Sequence, residues 1–230
     1  TIAADWHFSS ASRIYTMSPL SHNLGFGALI SAIAVGGELI LHDLPKGESL
    51  LARLRDTGTT FLFGVPTHAI DLLAGLRRDG GELPDLAGFR ISGAAVPDAV
   101  CAELLDHGIT PQSGYGMTEA CSHHYTLPDD PPARITGTSG TACSGYEVSV
   151  FAQDDPNREA AVNEIGQIGG RGSSLMLGYF EDAAATAASF NYAGFFMTGD
   201  IGALDADGYL RITGRKKDVI IRGGHNIYPA

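Results

Sequence analysis

The sequence is short of cations and cysteines and has no long apolar run. Lys and Arg number 15 against 26 Asp and Glu, a formal net charge of −11. Such a field opposes non-specific binding to nucleic acid or anionic lipid, so a polyanionic ligand has to be met by local cations. The three cysteines, Cys101, Cys121 and Cys143, share no metal-ligand spacing and leave at least one thiol unpaired. That argues against a disulfide framework and for a reducing, cytoplasmic setting. No stretch approaches the roughly 20 apolar residues that span a bilayer, and no N-terminal stretch reads as a signal peptide. Disorder is excluded too, because hydrophobic residues make up 44% of the chain and charged ones only 18%. With 230 residues, the chain can bury one large core or two smaller ones.

From Arg13 to Gln112, short apolar runs alternate with amphipathic ones. "RIYTM", "ELILH", "TFLFG", "GFRIS" and "GITPQ" read as strands, and "SLLARLRD", "PTHAIDLLAGLRR" and "PDAVCAELLDHG" as helices. In the second helix Pro66 suits the first turn, Ala69, Leu72, Leu73 and Leu76 fall on one face, and Gly80 follows two arginines where a helix should end. This alternation predicts βαβ units in an α/β fold with a mostly parallel sheet flanked by helices, over residues 1–126. Residues 127–134, "LPDDPPAR", read as an irregular linker. Beyond them, glycines spaced among β-formers predict a smaller strand-rich subdomain over 135–216, with one helical insert at "EDAAATAASF".

Ligands of open α/β sheets bind beyond the carboxyl ends of the strands. Three such ends carry small or glycine-rich sequence: "GVP" after "TFLF", "SGAAVP" after "FRI" and "SGYGMTE" after "ITPQ". Small residues let a ligand approach the backbone closely. Three ends together predict a crevice.

"SGYGMTE" at 113–119, "TGD" at 198–200 and "GRKKDVIIRGGHNIYP" at 214–229 together resemble the adenylate-forming enzymes: acyl-CoA synthetases, peptide-synthetase adenylation domains and firefly luciferase. The third string is long and specific, and the resemblance covers essentially the whole chain. It implies that a carboxylate attacks the α-phosphorus of ATP to give an acyl-adenylate and pyrophosphate, after which the thiol of coenzyme A displaces AMP. The small-molecule carboxylic acid, ATP and CoA are then the partners, with neither nucleic acid nor a membrane span, and a homodimer is compatible with the reading.

The same resemblance assigns residues. Tyr115 offers a face for adenine, bordered by Ser113, Gly114 and Gly116 and by the turn Gly93, Ala94 and Ala95. Thr118 and Glu119 take a catalytic role through magnesium, with Glu119 as the metal carboxylate; taken alone, a Thr-Glu pair is a helix start. Asp200 accepts from the ribose hydroxyls, and Arg215 approaches the same ribose and phosphates. His22, in "SPLSHNLGFG", and Gly116 border the acyl pocket. Lys217 is the hinge before a C-terminal domain that begins at 217–230, and Gly223 and Gly224 border the CoA tunnel. "DADG" at 205–208 fits a hairpin turn better than a calcium loop, because Ala203 and Gly214 fall where the loop needs ligands. "CSHH" at 121–124 is pocket lining or surface rather than a metal site.

The family's Ser/Thr/Gly-rich phosphate loop and its late lysine find no counterpart between Thr1 and Ala230. The chain therefore reads as a central fragment of a larger adenylate-forming enzyme, with little activity by itself. Two other functions compete: an amino-acid-activating adenylation domain of a peptide synthetase, and a non-catalytic nucleotide-binding module. The first would place an aspartate near the start of the His22 segment to hold an α-ammonium, and "SPLSHNLGF" has none.

Overall fold

A computed structural model describes residues 1–45, 47–216, 220–222 and 225–227. The expected hinge Lys217 and the expected tunnel glycines Gly223 and Gly224 lie outside the described residues. In chain order the elements begin α1 (Ile2–Asp5), β1 (Arg13–Thr16), α2 (Asn23–Val35), β2 (Glu38–Leu41), α3 (Leu50–Asp56), β3 (Phe61–Gly64), α4 (Pro66–Asp79), β4 (Gly88–Ile91), α5 (Asp98–Asp106) and β5 (Thr110–Met117). They continue β6 (Cys121–Tyr125), α6 (Pro132–Gly137), β7 (Thr141–Ala142), β8 (Tyr146–Phe151), β9 (Gly166–Gly172), α7 (Ala183–Ala188), β10 (Phe196–Leu204), β11 (Leu210–Arg215), β12 (Ile220–Arg222) and β13 (His225–Ile227).

A 7-stranded sheet has the order β2-β1-β3-β4-β5-β6-β7. Its first five strands are parallel, and β6 and β7 are added antiparallel. Side chains alternate across a strand, and both faces are filled. Tyr15, Leu62, Phe89 and Ile91 pack with Leu51, Leu72 and Leu104 of α3, α4 and α5. Ile14, Phe61 and Phe63 face the other way, onto Leu24, Ala28 and Ala32 of α2 and onto Tyr125. By the same period, Gly88 and Arg90 of β4 point to the α2 face.

α2 is a helix that sequence pattern did not reveal. It starts at His22, whose Nδ1 accepts from the Leu24 N–H at 3.2 Å, and stops at Gly36, left-handed at φ 68°. Gly25 lets its first turn lie on the chain before it, since a Cβ there would meet the Pro19 oxygen at 2.3 Å. Part of the expected linker is also regular, because residues 132–137 form α6. Pro132 stands in its first turn, where proline's missing N–H costs nothing. The chain then returns to the first sheet through β7 before it enters the second.

That second sheet is 4-stranded, in the order β11-β10-β9-β8, antiparallel throughout. Ile168 and Leu210 form its buried centre together with Tyr115, which reaches over from β5. Residues 205–208 form the turn between β10 and β11, closed by the Gly208 N–H on the Asp205 carbonyl at 3.1 Å. β12 and β13 pair antiparallel.

Candidate active site

The expected crevice residues gather at the carboxyl ends of β4 and β5, where the second sheet meets the first. β4 runs into an exposed bend at Gly93, Ala94 and Ala95, and Gly93 adopts φ 96°, which a side chain would oppose. Beside it, β5 carries Ser113, Gly114, Tyr115 and Gly116. The Ser113 N–H donates to the Thr126 hydroxyl at 3.1 Å, which fixes this end of the strand. Thr118 and Glu119 do not start a helix; with Ala120 they form the turn of the β5–β6 hairpin. The 174–179 segment pins that turn. The Met176 N–H bonds the Glu119 carbonyl at 2.7 Å, the Ser174 hydroxyl the Ala120 carbonyl at 3.1 Å, and the Tyr179 hydroxyl the Glu119 carboxylate at 3.2 Å.

Three residues far apart in sequence form one polar chain, a hydrogen bond followed by an ion pair. Tyr115, 7% exposed, donates its hydroxyl to Asp200 Oδ2 at 2.7 Å. Asp200 Oδ1 takes Arg215 Nε at 3.1 Å, the two residues standing opposite each other in the β10–β11 register. Asp200 itself is 5% exposed, and its N–H donates to the Thr198 hydroxyl at 3.1 Å, just after Gly199 turns through φ 78°. Burial first, and then the Asp200 charge, push the Tyr115 hydroxyl well above its usual range. It therefore stays protonated and donates. Asp200 Oδ2 thus accepts one hydrogen bond and Oδ1 faces a guanidinium, and since a carboxylate has about four acceptor positions, acceptor capacity remains. The His123 and Tyr115 rings pack edge to face, 5.1 Å between centroids.

A cavity of about 320 Å³ lies against α2. Leu24, Phe26, Ile30 and Phe63 give it apolar walls, and Arg90, Cys121, Tyr125, Tyr146 and Ser174 border it as well. Cys121 and Ser174 place one wall beside the 118–120 turn. His22 and Gly116 are not among its lining residues; His22 caps α2 from an exposed position, and its neighbour Asn23 lines the cavity instead.

Under the cavity floor lies a group of buried polar side chains that sequence reasoning missed. Arg90, 1% exposed, stands opposite Gln112, donates to its side-chain oxygen and sits 5.3 Å over the Tyr125 ring. Gly114 makes room for it, because a Cβ there would be 2.8 Å from Nη2. His123 and His124 are fully buried, and His123 stacks on Tyr146 at 4.3 Å. Loss of solvent, reinforced by Arg90, takes His123 down to about 4; loss of solvent and the His123 charge take His124 to about 3. Both are neutral at pH 7. One signal was in the sequence: "GFRIS" is an apolar strand interrupted by a single arginine, the residue type least expected inside a sheet.

A hairpin turn carrying Thr118 and Glu119, a buried Tyr115–Asp200–Arg215 chain and glycine-relieved strand ends are what a nucleotide crevice needs. Residues 1–180 match the family described as AMP-binding enzyme. The chain belongs to that family. A medium-chain fatty-acid–CoA ligase of Escherichia coli is 34% identical over 211 residues, which is 91% of this chain and 37% of that protein. A 2-succinylbenzoate–CoA ligase of Bacillus licheniformis is 33% identical over 92% of this chain and 43% of its own length. Among solved structures, O-succinylbenzoate coenzyme A synthetase from Bacillus subtilis in complex with AMP superposes with TM-score 0.88 at 27% identity, covering 99% of this chain and 46% of that one. The chain thus spans less than half the length of these relatives. It has their fold, a mostly parallel sheet with flanking helices and an antiparallel sheet beside it. No helix among the described residues is long and apolar enough to cross a membrane.

Proposed function

We propose that the chain supplies the central part of an acyl-CoA ligase that activates a carboxylic acid with ATP, releasing pyrophosphate, and then passes the acyl group to the thiol of coenzyme A. The observation that carries this reading is the Tyr115–Asp200–Arg215 chain at the strand ends that also bear the exposed 93–95 bend and the 118–120 turn. Asp200 accepts the ribose hydroxyls on its remaining lone pairs, and Arg215 supplies positive charge toward the phosphates that the acidic chain otherwise lacks. Tyr115, with Ser113, Gly114 and Gly116, borders the adenine. Lys217 serves as the hinge between the two half-reactions, and Gly223 and Gly224 border the path of the thiol.

Glu119 and Thr118 fit a magnesium ion. Both carry hard oxygen donors, and the turn that presents them is only partly covered. When bound, such an ion neutralises phosphate charge. The acid occupies the cavity along α2. No Asp or Glu among the described residues lines that cavity, which favours a plain carboxylic acid over an amino acid, whose α-ammonium calls for a carboxylate.

Exchange of labelled pyrophosphate into ATP by the full-length protein, with a broad panel of carboxylic acids, tests the reading. Acid-dependent exchange that requires magnesium is expected. A folded protein that binds ATP and exchanges with no acid would make the chain a nucleotide-binding module instead, and exchange confined to amino acids would make it an aminoacyl-adenylating one.

A further inference from the structure

Arg90 is the least expected side chain in the fold. It projects from the middle strand of the large sheet, is 1% exposed, and has no acidic partner among the described residues. Nη1 is bonded to Gln112, whereas Nη2 has no hydrogen-bond partner. The groups acting on its charge are Tyr125, Cys143 and Cys121, none of them a carboxylate. Asp5 approaches this region, but its carboxylate ends on the Tyr125 hydroxyl at 2.7 Å. Loss of solvent brings the guanidinium down to about 10, so it keeps its charge at neutral pH. A buried charge left unpaired is among the costliest features a fold can carry. Here it borders a cavity. Tyr146, whose buried hydroxyl is also without a partner, borders the same cavity. Two residues with orphaned, covered donors, one of them cationic, thus line one space, beside apolar side chains of α2 and the polar Asn23, Ser31 and Ser174.

Resting on the reading of this cavity as the acid site, we propose that the acid bears a second carboxylate, remote from the one that is activated, and that Arg90 receives it with help from Tyr146. The substrate class is a dicarboxylic acid with an apolar middle. Its reacting carboxyl lies toward the 118–120 turn, beside Cys121 and Ser174, and its second carboxylate takes the free Nη2 of Arg90 and the hydroxyl of Tyr146. The second charge serves recognition only and does not react. Arg90 is therefore a specificity-determining residue.

Calorimetric titration of the protein with α,ω-dicarboxylates from pentanedioate to decanedioate, each paired with the monocarboxylate of equal length, tests this directly. It reads binding whether or not the protein turns over. At the best length the diacid is expected to bind at least about tenfold tighter than its monoacid, the effect of one charge-assisted hydrogen bond. Arg90→Gln is expected to erase that ratio, Arg90→Lys to keep part of it, and Tyr146→Phe to reduce it several-fold. Equal affinities at every length, a ratio that survives Arg90→Gln, or a 6-oxoheptanoate that outbinds heptanedioate would each overturn the proposal. If Arg90→Gln does not fold, the native ratio and its reduction in Tyr146→Phe still decide. Absence of pyrophosphate exchange bears on the ligase reading, and absence of a diacid preference bears on this one.

Discussion

Asp200 is held so completely by the protein that its two roles have to be separated by design. Its carboxylate takes the Tyr115 hydroxyl and pairs with the Arg215 guanidinium, so Asp200→Ala strips a buried tyrosine of its acceptor as well as removing the proposed partner of a ribose. The stranded hydroxyl alone costs about 1–3 kcal/mol of stability. Tyr115→Phe removes the same internal bond and leaves the carboxylate in place. The two variants are therefore expected to lose similar melting temperature while their nucleotide affinities part. Two charge-assisted bonds to ribose at about 1.5–3 kcal/mol each put the loss in Asp200→Ala at roughly a hundredfold or more, and Tyr115→Phe stays within about tenfold of the native protein. Titration of AMP against each, alongside thermal melts, checks this; equal affinity losses would reduce Asp200 to a scaffold for Tyr115.

Between elements, the tightest joint is Gly140, where the chain leaves α6 for β7. It has φ 75°, and a Cβ there would lie 1.9 Å from the carbonyl carbon of Tyr125, backbone that has nowhere to go. Its carbonyl also takes the Leu210 N–H of β11 at 2.9 Å, so one residue ties β6 of the first sheet to the second. Gly208, in the β10–β11 turn, has a similar φ of 81° and nothing within 4 Å. Gly208→Ala is expected to cost about 1–2 kcal/mol, the left-handed penalty alone, and Gly140→Ala about 3 kcal/mol or more, since overpacking adds to it. Urea denaturation of the pair gives the difference, and equal losses would mean that β6 yields to the intruding methyl. Joints of this kind explain what could be read beforehand. β1 to β5 and α3 to α5 were legible because local period, proline starts and glycine stops all agree there. α2 was not, since "NLGFGALISAIAV" is mostly apolar and carries two glycines, Gly25 and Gly27, in its first turns. α6 hid behind prolines that serve as its entry, and β6 behind a Thr-Glu pair that, taken alone, suggests a helix start. Tyr115, Asp200 and Arg215 were each picked out by their motifs, but the contacts that join them were not. The Arg90–Gln112–Tyr146 group was not, because only strand pairing and the return through β7 and β8 bring it together.

For the whole molecule, acid acts through charge in two opposed ways. At pH 7 the net charge is −11, so mild acidification relieves self-repulsion and favours the compact state. The buried histidines work against that. His123 and His124 are neutral in the folded protein down to about 4 and about 3, whereas in the unfolded chain they take up protons near 6.5. Between those limits the unfolded state binds more protons, so stability falls as pH falls and levels off only below the folded values. At pH 5 the loss is on the order of 2 kcal/mol for each histidine. Neither ring makes a hydrogen bond, so phenylalanine removes the proton site without orphaning a partner, and at 123 it preserves the stack on Tyr146. The double variant His123→Phe, His124→Phe is therefore expected to lie near the native protein in stability at pH 7.5 and to gain on it steadily toward pH 4.5, as read by denaturant midpoints across that range. Curves that stay parallel would mean that both rings reach water and titrate near their ordinary value, and the floor beneath the cavity would then be wet rather than sealed around Arg90.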